Sequence, residues 1–157
     1  MTLQVKKLRE GALLPRRATE GSAGYDLHAC LDGPLEILPG ETRTVPTGIA
    51  IALPGPDCAA FVYARSGLGI KHGIVPGNCV GVIDSDYRGE LLVGLHNHSA
   101  EPFTIQPGDR VAQMIIAPVL CPALIECDEL DDTARGAGGF GSTGVGNADR
   151  KAGDGAH

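Results

Sequence analysis

The stretch TGIAIAL, residues 47–53, sets its large apolar side chains Ile49, Ile51 and Leu53 on every second position. A period of two belongs to a β-strand with a buried face, since a helix would bring together positions three and four apart. The same spacing returns at Val111, Ile115, Ala117 and Val119 around Gln113. Glycine (23) and proline (11) punctuate the chain at short intervals, and the segments between are short and rich in Val and Ile. Further strands are predicted at residues 60–64, 79–83, 90–97, 103–105 and 124–127. No long window carries an apolar stripe at helical spacing, so one short helix within residues 66–71 is all that is expected. Many short strands at this spacing predict an all-β fold: a sandwich, jelly roll or barrel.

At 157 residues the chain has the length of one ordinary domain, able to bury roughly two thirds of its unfolded surface without disulfide or metal staples. After about residue 130 its character changes. DDTARGAGGFGSTGVGNADRKAGDGAH is glycine-rich, polar and nearly free of aliphatic side chains, so it lacks the apolar area to order itself alone. The expected organisation is a β domain over residues 1–132 and a flexible arm over residues 133–157.

Thirteen basic against 19 acidic residues, a net charge of −6, argue against a nucleic-acid partner, because binding a polyanion requires a basic stripe. A small anion held by a few local arginines is compatible with this balance. The N-terminal MTLQVKKLREGALLPRR has no apolar run of signal-peptide length and no stretch is long enough to span a bilayer, so neither export nor a membrane partner is expected. The cysteines (Cys30, Cys58, Cys79, Cys121, Cys127) are odd in number and form no CxxC pair, which predicts free thiols in a reducing cytoplasm.

Five segments carry polar residues that a plain β core does not need. In SAGYDLHA (22–29), Asp26 follows a glycine turn; a solvated turn aspartate is the bland alternative. In ARSGLGIKHG (64–73), Arg65, Ser66 and Gly67 meet at the start of the expected helix, where backbone N–H groups, a hydroxyl and a guanidinium can grip a phosphate oxygen. A helix cap by Ser66 explains the serine equally well. GNCVGVIDSDYRGEL (77–91) reads as strand, tight turn, strand. Asp84 lies at the end of its apolar arm, where partial burial suits a general base, and Tyr87 offers a flat face for stacking. In PGDRVAQMII (107–116), Gln113 interrupts an apolar strand, so its amide must satisfy neighbouring backbone or face a ligand. RGAGGFGSTG (135–144) formally matches GxGxxG at Gly136, Gly138 and Gly141, but it lacks the preceding strand and following helix of a dinucleotide site. It reads instead as a supple loop carrying Arg135, Ser142 and Thr143 for phosphate, with Phe140 as its one aromatic residue. His96 and His98 share one strand face but lack a third ligand at suggestive spacing, so they are read as surface or core-edge histidines.

Taken in order, these five segments resemble the five motifs of the trimeric dUTPase family, from about residue 22 to residue 144. The resemblance implies a distorted jelly-roll β-barrel, a homotrimer with sites shared between subunits, dUTP as substrate and Mg²⁺ as cofactor. It implies that Asp84 activates the attacking water, that Tyr87 stacks under deoxyribose, and that Asn78 with the hairpin backbone pairs with uracil. Arg65, Ser66, Gly67 and Gln113 resemble the phosphate-binding set, and Asp26 the supporting acidic residue of the first motif. Arg135, Phe140, Gly141, Ser142 and Thr143 resemble the arm that closes over the nucleotide, with Phe140 over the base. Two rival readings use the same scaffold. A dCTP deaminase would need a glutamate base where this chain presents IDSDYRG, and a regulatory binding module would have no need to keep Asp84, Tyr87, Arg135 and Phe140 together.

Overall fold

The computed structural model describes residues 2–139. The chain divides into two compact units, Met1–Cys121 and Pro122–His157. The first contains eleven short strands and one helix among the described residues: β1 (Gln4–Lys7), β2 (Tyr25–His28), β3 (Leu35–Ile37), β4 (Thr42–Pro46), β5 (Ile49–Ala52), β6 (Cys58–Tyr63), α1 (Ser66–His72), β7 (Ile74–Pro76), β8 (Gly81–Ile83), β9 (Leu92–Asn97), β10 (Phe103–Ile105) and β11 (Arg110–Pro118). The all-β class with one short helix is as the sequence predicts.

Every pairing is antiparallel, and the strands form four sheets, β1-β5, β10-β3, β2-β11-β6-β8 and β4-β9-β7. The alternation at residues 47–53 is realised as predicted: Ile49, Ile51 and Leu53 are buried in one core cluster with Leu27, Val45 and Met114. Gly48, between β4 and β5, adopts φ +70°, and a Cβ there would fall 2.7 Å from Cys30 Sγ and 2.8 Å from Ala12 Cβ. Glycine is thus required where the chain leaves one sheet for another. β11 is the spine of the largest sheet, bonded to β2 on one side and β6 on the other. Its register against β2 shifts between Arg110 and Ala112, a bulge that redirects the Arg110 side chain.

β1, β2, β3, β4 and β7 are absent from the sequence reading, and the strand expected at residues 124–127 does not form. Each missed strand is short or carries polar residues that mask the period, as in YDLH and TRTVP. ALIEC has strand-like composition, but a ladder needs a partner edge, and the second unit has no other strand among its described residues. Leu124, Ile125 and Leu130 are accordingly 96%, 86% and 86% exposed. The one ordered feature described in that unit is a turn at residues 133–138, closed by Gly136 N to Thr133 O at 3.0 Å and by Arg135 Nε to Gly138 O at 3.0 Å. No helix among the described residues is long and apolar enough to cross a membrane, and all five cysteines are free thiols.

Candidate active site

The structure gathers the predicted polar residues into two groups. The first lies where β2, β11 and the end of β6 meet. Gln113 of β11 stands opposite Asp26 of β2 and Tyr63 of β6. Asp26 is only 16% exposed at its side chain and holds two guanidinium groups: Arg65 Nε donates to Oδ1 at 3.0 Å and Arg110 Nη1 to Oδ2 at 3.3 Å. Arg65 Nη1 also donates to the Arg110 carbonyl at 3.1 Å, so the two arginines are cross-linked as well as paired. Asp26 is therefore no solvated turn residue. It positions two cations at the rims of clefts of about 410 and 460 Å³, the first lined by Arg65, Gly67, Lys71 and Arg110, the second by Arg16, Arg17, Asp26, His28 and Arg110. These clefts suit an anion.

Gln113 Nε2 donates to the Ala64 carbonyl at 2.8 Å, which ties the segment before Arg65 to the sheet. Gly24 makes this possible, since a Cβ there would fall 2.6 Å from Gln113 Oε1. Ser66 and Gly67 are exposed at the first turn of α1. The cap position belongs to Arg65, not Ser66, and carries no side-chain cap bond, so capping does not account for the serine. His28, on the same face of β2 as Asp26, has a buried Nδ1 with no hydrogen-bond partner. Burial pushes its pKa down, nearby Arg110, Arg65 and Arg16 push in the same direction, and Asp26 opposes them.

The second group lies on the connection between β8 and β9. These strands belong to different sheets, β8 pairing with β6 and β9 with β4 and β7, so residues 77–91 form a tight turn but not the hairpin that the sequence suggests. Tyr87 N donates to Asp84 O at 3.2 Å, so Asp84 and Tyr87 occupy the two ends of one tight turn. Asp84 is exposed in the single chain, not partly buried as the sequence suggests, and Tyr87 is 43% exposed. Asn78 is exposed in the tight turn between β7 and β8, where Cys79 takes φ 64° and the Asn78 amide lies 3.6 Å from where a Gly81 Cβ would sit. β8 is the terminal strand of its sheet, so the backbone groups of Gly81–Ile83 directed away from β6 are outside the ladder. They offer a fixed row of donors and acceptors.

One chain does not unite the two groups. Ile83 pairs with Ala60 in an antiparallel ladder, which sets Asp84 beyond Ala60 while Arg65 lies five residues further along the chain in the opposite direction. Six residues of extended chain amount to about 20 Å. Arg135 lies in the second unit, in the turn already described. Phe140, Gly141, Ser142 and Thr143 lie outside the described residues. Sequence reading passed over Arg110, hidden in a turn-like PGDR, and Gly24, whose role depends on a residue far along the chain. The strand bulge and the Asp26 pairing reveal the first, and the contact with Gln113 reveals the second. His96 and His98 stack edge to face at 4.5 Å, with His96 Nδ1 2.9 Å from Thr42 Oγ1. No cluster of three or more metal-ligating side chains occurs among the described residues.

An all-β scaffold with arginines fixed beside anion-sized clefts, and a carboxylate and phenol on an exposed turn, suits the class of proteins that handle phosphorylated ligands. Comparison with known proteins makes this specific. The dUTPase family model matches residues 10–144. The deoxyuridine 5'-triphosphate nucleotidohydrolase of Hahella chejuensis is 55% identical over 140 residues, covering 89% of this chain and 92% of the relative. That of Neisseria meningitidis serogroup B is 54% identical over 142 residues, covering 90% and 95%. Among solved structures, a point mutant of the Staphylococcus bacteriophage 80alpha dUTPase with dUpNHpp superposes with a TM-score of 0.84 at 27% identity, covering 92% of this chain and 99% of the other. A point mutant of the dUTPase from phage phi11 of S. aureus, described with a structural Mg(II) ion, superposes at 0.76 with 25% identity over 84% and 100%. The chain belongs to the dUTPase family, and it is an enzyme that hydrolyses dUTP.

Proposed function

We propose that the protein converts dUTP and water to dUMP and pyrophosphate by in-line attack on the α-phosphorus, with Asp84 as general base. The turn after β8 carries this reading. Asp84 and Tyr87 project from a single turn, next to an edge strand whose free backbone groups are available to a base. Asp84 accepts the proton of the attacking water, while Tyr87 lies under the deoxyribose where a 2′-hydroxyl would collide. Asn78 and the backbone of β8 pair with uracil, and cytosine is refused because its reversed donor and acceptor pattern leaves a buried polar group unmatched, at a cost of about 1–3 kcal/mol.

The triphosphate, with about four negative charges, is taken by Arg65, Ser66, Gly67 and Gln113, joined by Arg110. Asp26 holds both arginines in place instead of serving as a free metal ligand. That arrangement fits a Mg²⁺ ion carried on the phosphates, where it would neutralise charge. Arg135, Gly141, Ser142 and Thr143 complete the cage from the arm, residues 133–157, with Phe140 over the base and water shut out. The barrel domain then spans residues 1–132.

Asp84 and Arg65 stand at opposite ends of β6, which supports a site shared between chains. The likeness to the trimeric dUTPase family makes the active species a homotrimer in which one chain supplies the Asp84 turn and another the phosphate group. Its place is the cytoplasm, whose reducing conditions suit free thiols, and its products suit a step that keeps uracil out of DNA and provides dUMP for thymidylate synthesis. The decisive assay offers purified protein dUTP or dCTP with Mg²⁺ and measures pyrophosphate and ammonia. Pyrophosphate from dUTP alone is expected. Ammonia from dCTP would establish the deaminase instead, and no product from either would leave a binding module.

A further inference from the structure

Tyr87 sits on an exposed turn, yet its ring has a seat. A Cβ built on Gly89 would fall 2.5 Å from Tyr87 Cζ, so the phenol rests against a bare α-carbon. Gly89 is not among the glycines with positive φ, so a side chain there would not strain the backbone but would displace the Tyr87 ring. At the ring's far end the hydroxyl donates to the Glu90 carbonyl at 3.1 Å. Glu90 is itself anchored: Oε1 accepts from Gly48 N at 2.8 Å and Oε2 from Arg9 Nη2 at 2.9 Å, with its side chain only 17% exposed. The next residue continues the anchor, with Leu91 N donating to Ile49 O at 2.8 Å and Thr47 Oγ1 donating to Leu91 O at 2.7 Å. On the other side of the turn, Arg88 Nη1 donates to the carbonyls of Ser85 and Tyr87 at 2.8 Å each.

We propose that Gly89 and Glu90, the latter clasped by Arg9 and the Gly48 amide, are positioning residues that lock the Tyr87 ring and so set the preference for a 2′-deoxy sugar over ribose. The proposal rests on reading Tyr87 as the surface beneath the sugar. A surface that can retreat accommodates an added hydroxyl, whereas a ring held at its hydroxyl end, against Gly89 and on the Glu90 carbonyl, cannot yield without breaking its hydrogen bond. Arg9 and Glu90, far apart in sequence, thereby act on sugar choice without touching the nucleotide.

The test compares kcat/KM for dUTP and UTP in the wild type and in Gly89→Ala, Glu90→Ala, Glu90→Gln, Arg9→Ala and Tyr87→Leu, with oligomeric mass and melting midpoint as folding controls. Gly89→Ala and Glu90→Ala should lower the dUTP/UTP ratio by about tenfold or more, and Glu90→Gln, which keeps an acceptor for Gly48, should stay close to wild type. If Gly89→Ala does not assemble, Glu90→Ala and the exposed Arg9→Ala carry the comparison, the latter with a smaller drop of the same sign. A Tyr87→Leu enzyme of reduced selectivity beside Gly89→Ala and Glu90→Ala enzymes of unchanged selectivity would overturn the seat alone. Unchanged selectivity in Tyr87→Leu would remove Tyr87 from sugar choice, and the proposal with it.

Discussion

The two ends of β6 are built on opposite plans. At one end Asp26, Arg65, Arg110 and Gln113 are drawn together from β2, β11 and the segment that joins β6 to α1, partly shielded from water and hydrogen-bonded before any ligand arrives. At the other end Asp84 points into solvent from a turn whose order comes from its foot, Glu90 and Leu91, and from Arg88 across its carbonyls. The difference follows from what each end must do. Guanidinium groups facing a triphosphate repel one another and need a shared counter-ion to stay in place, which Asp26 provides. A general base has no such need until substrate and a neighbouring surface enclose it.

Substitutions at the two ends should therefore fail differently. The largest effect belongs to the Asp84 turn: Asp84→Asn should cut kcat by about 10²–10⁴ while the melting midpoint stays put, because an exposed side chain contributes little to folding. Steady-state kinetics with thermal unfolding checks both halves, and wild-type turnover would remove Asp84 from the chemistry. At the arginine end stability and binding should move together. Gly24→Ala forces the Gln113 amide away from the Ala64 carbonyl, which should raise KM for dUTP about tenfold and lower the midpoint as well, since a partly buried hydrogen bond is lost. A Gly24→Ala enzyme with altered KM and unchanged stability would show the two ends to be built alike.

The smallest expected effect is in acid. His28 has a folded pKa below its unfolded value, so as pH falls through the unfolded value, about 6.5, the unfolded chain takes up the proton first and stability declines. One proton accounts for at most about 1.4 kcal/mol per pH unit. Relative to wild type, His28→Asn should lose less stability between neutral pH and pH 5 in denaturant titrations, and parallel curves would exonerate His28.

The sequence displayed these two ends unequally. Residues 77–91 show the Asp84–Tyr87 turn directly, because its residues are contiguous. The hairpin read from their apolar arms does not form: β8 pairs with β6 and β9 with β4 and β7, partners that the local sequence does not encode. The arginine end was legible only through its motifs. Asp26 and Arg110 are 84 positions apart, and nothing local announces that one carboxylate fixes two guanidinium groups. The same limit explains residues 124–127, whose composition suits a strand although pairing depends on a partner edge that composition does not encode. Ile49, Ile51 and Leu53 were read correctly because burial of one strand face is written in a period of two.

That each chain holds half of two sites, and no whole one, is the claim on which the account rests. Asp84→Asn and Arg65→Ala chains, co-expressed under different tags and purified through both, place the two defects in one oligomer. Each variant alone should be nearly inactive. If the Asp84 turn and the arginines come from different chains, about a third of the sites in a mixed trimer draw both intact halves, and dUTP turnover should recover toward that share of wild type. Mixed oligomers as inactive as their parents would mean that a single chain builds its own site, and the division along β6 would have no functional meaning.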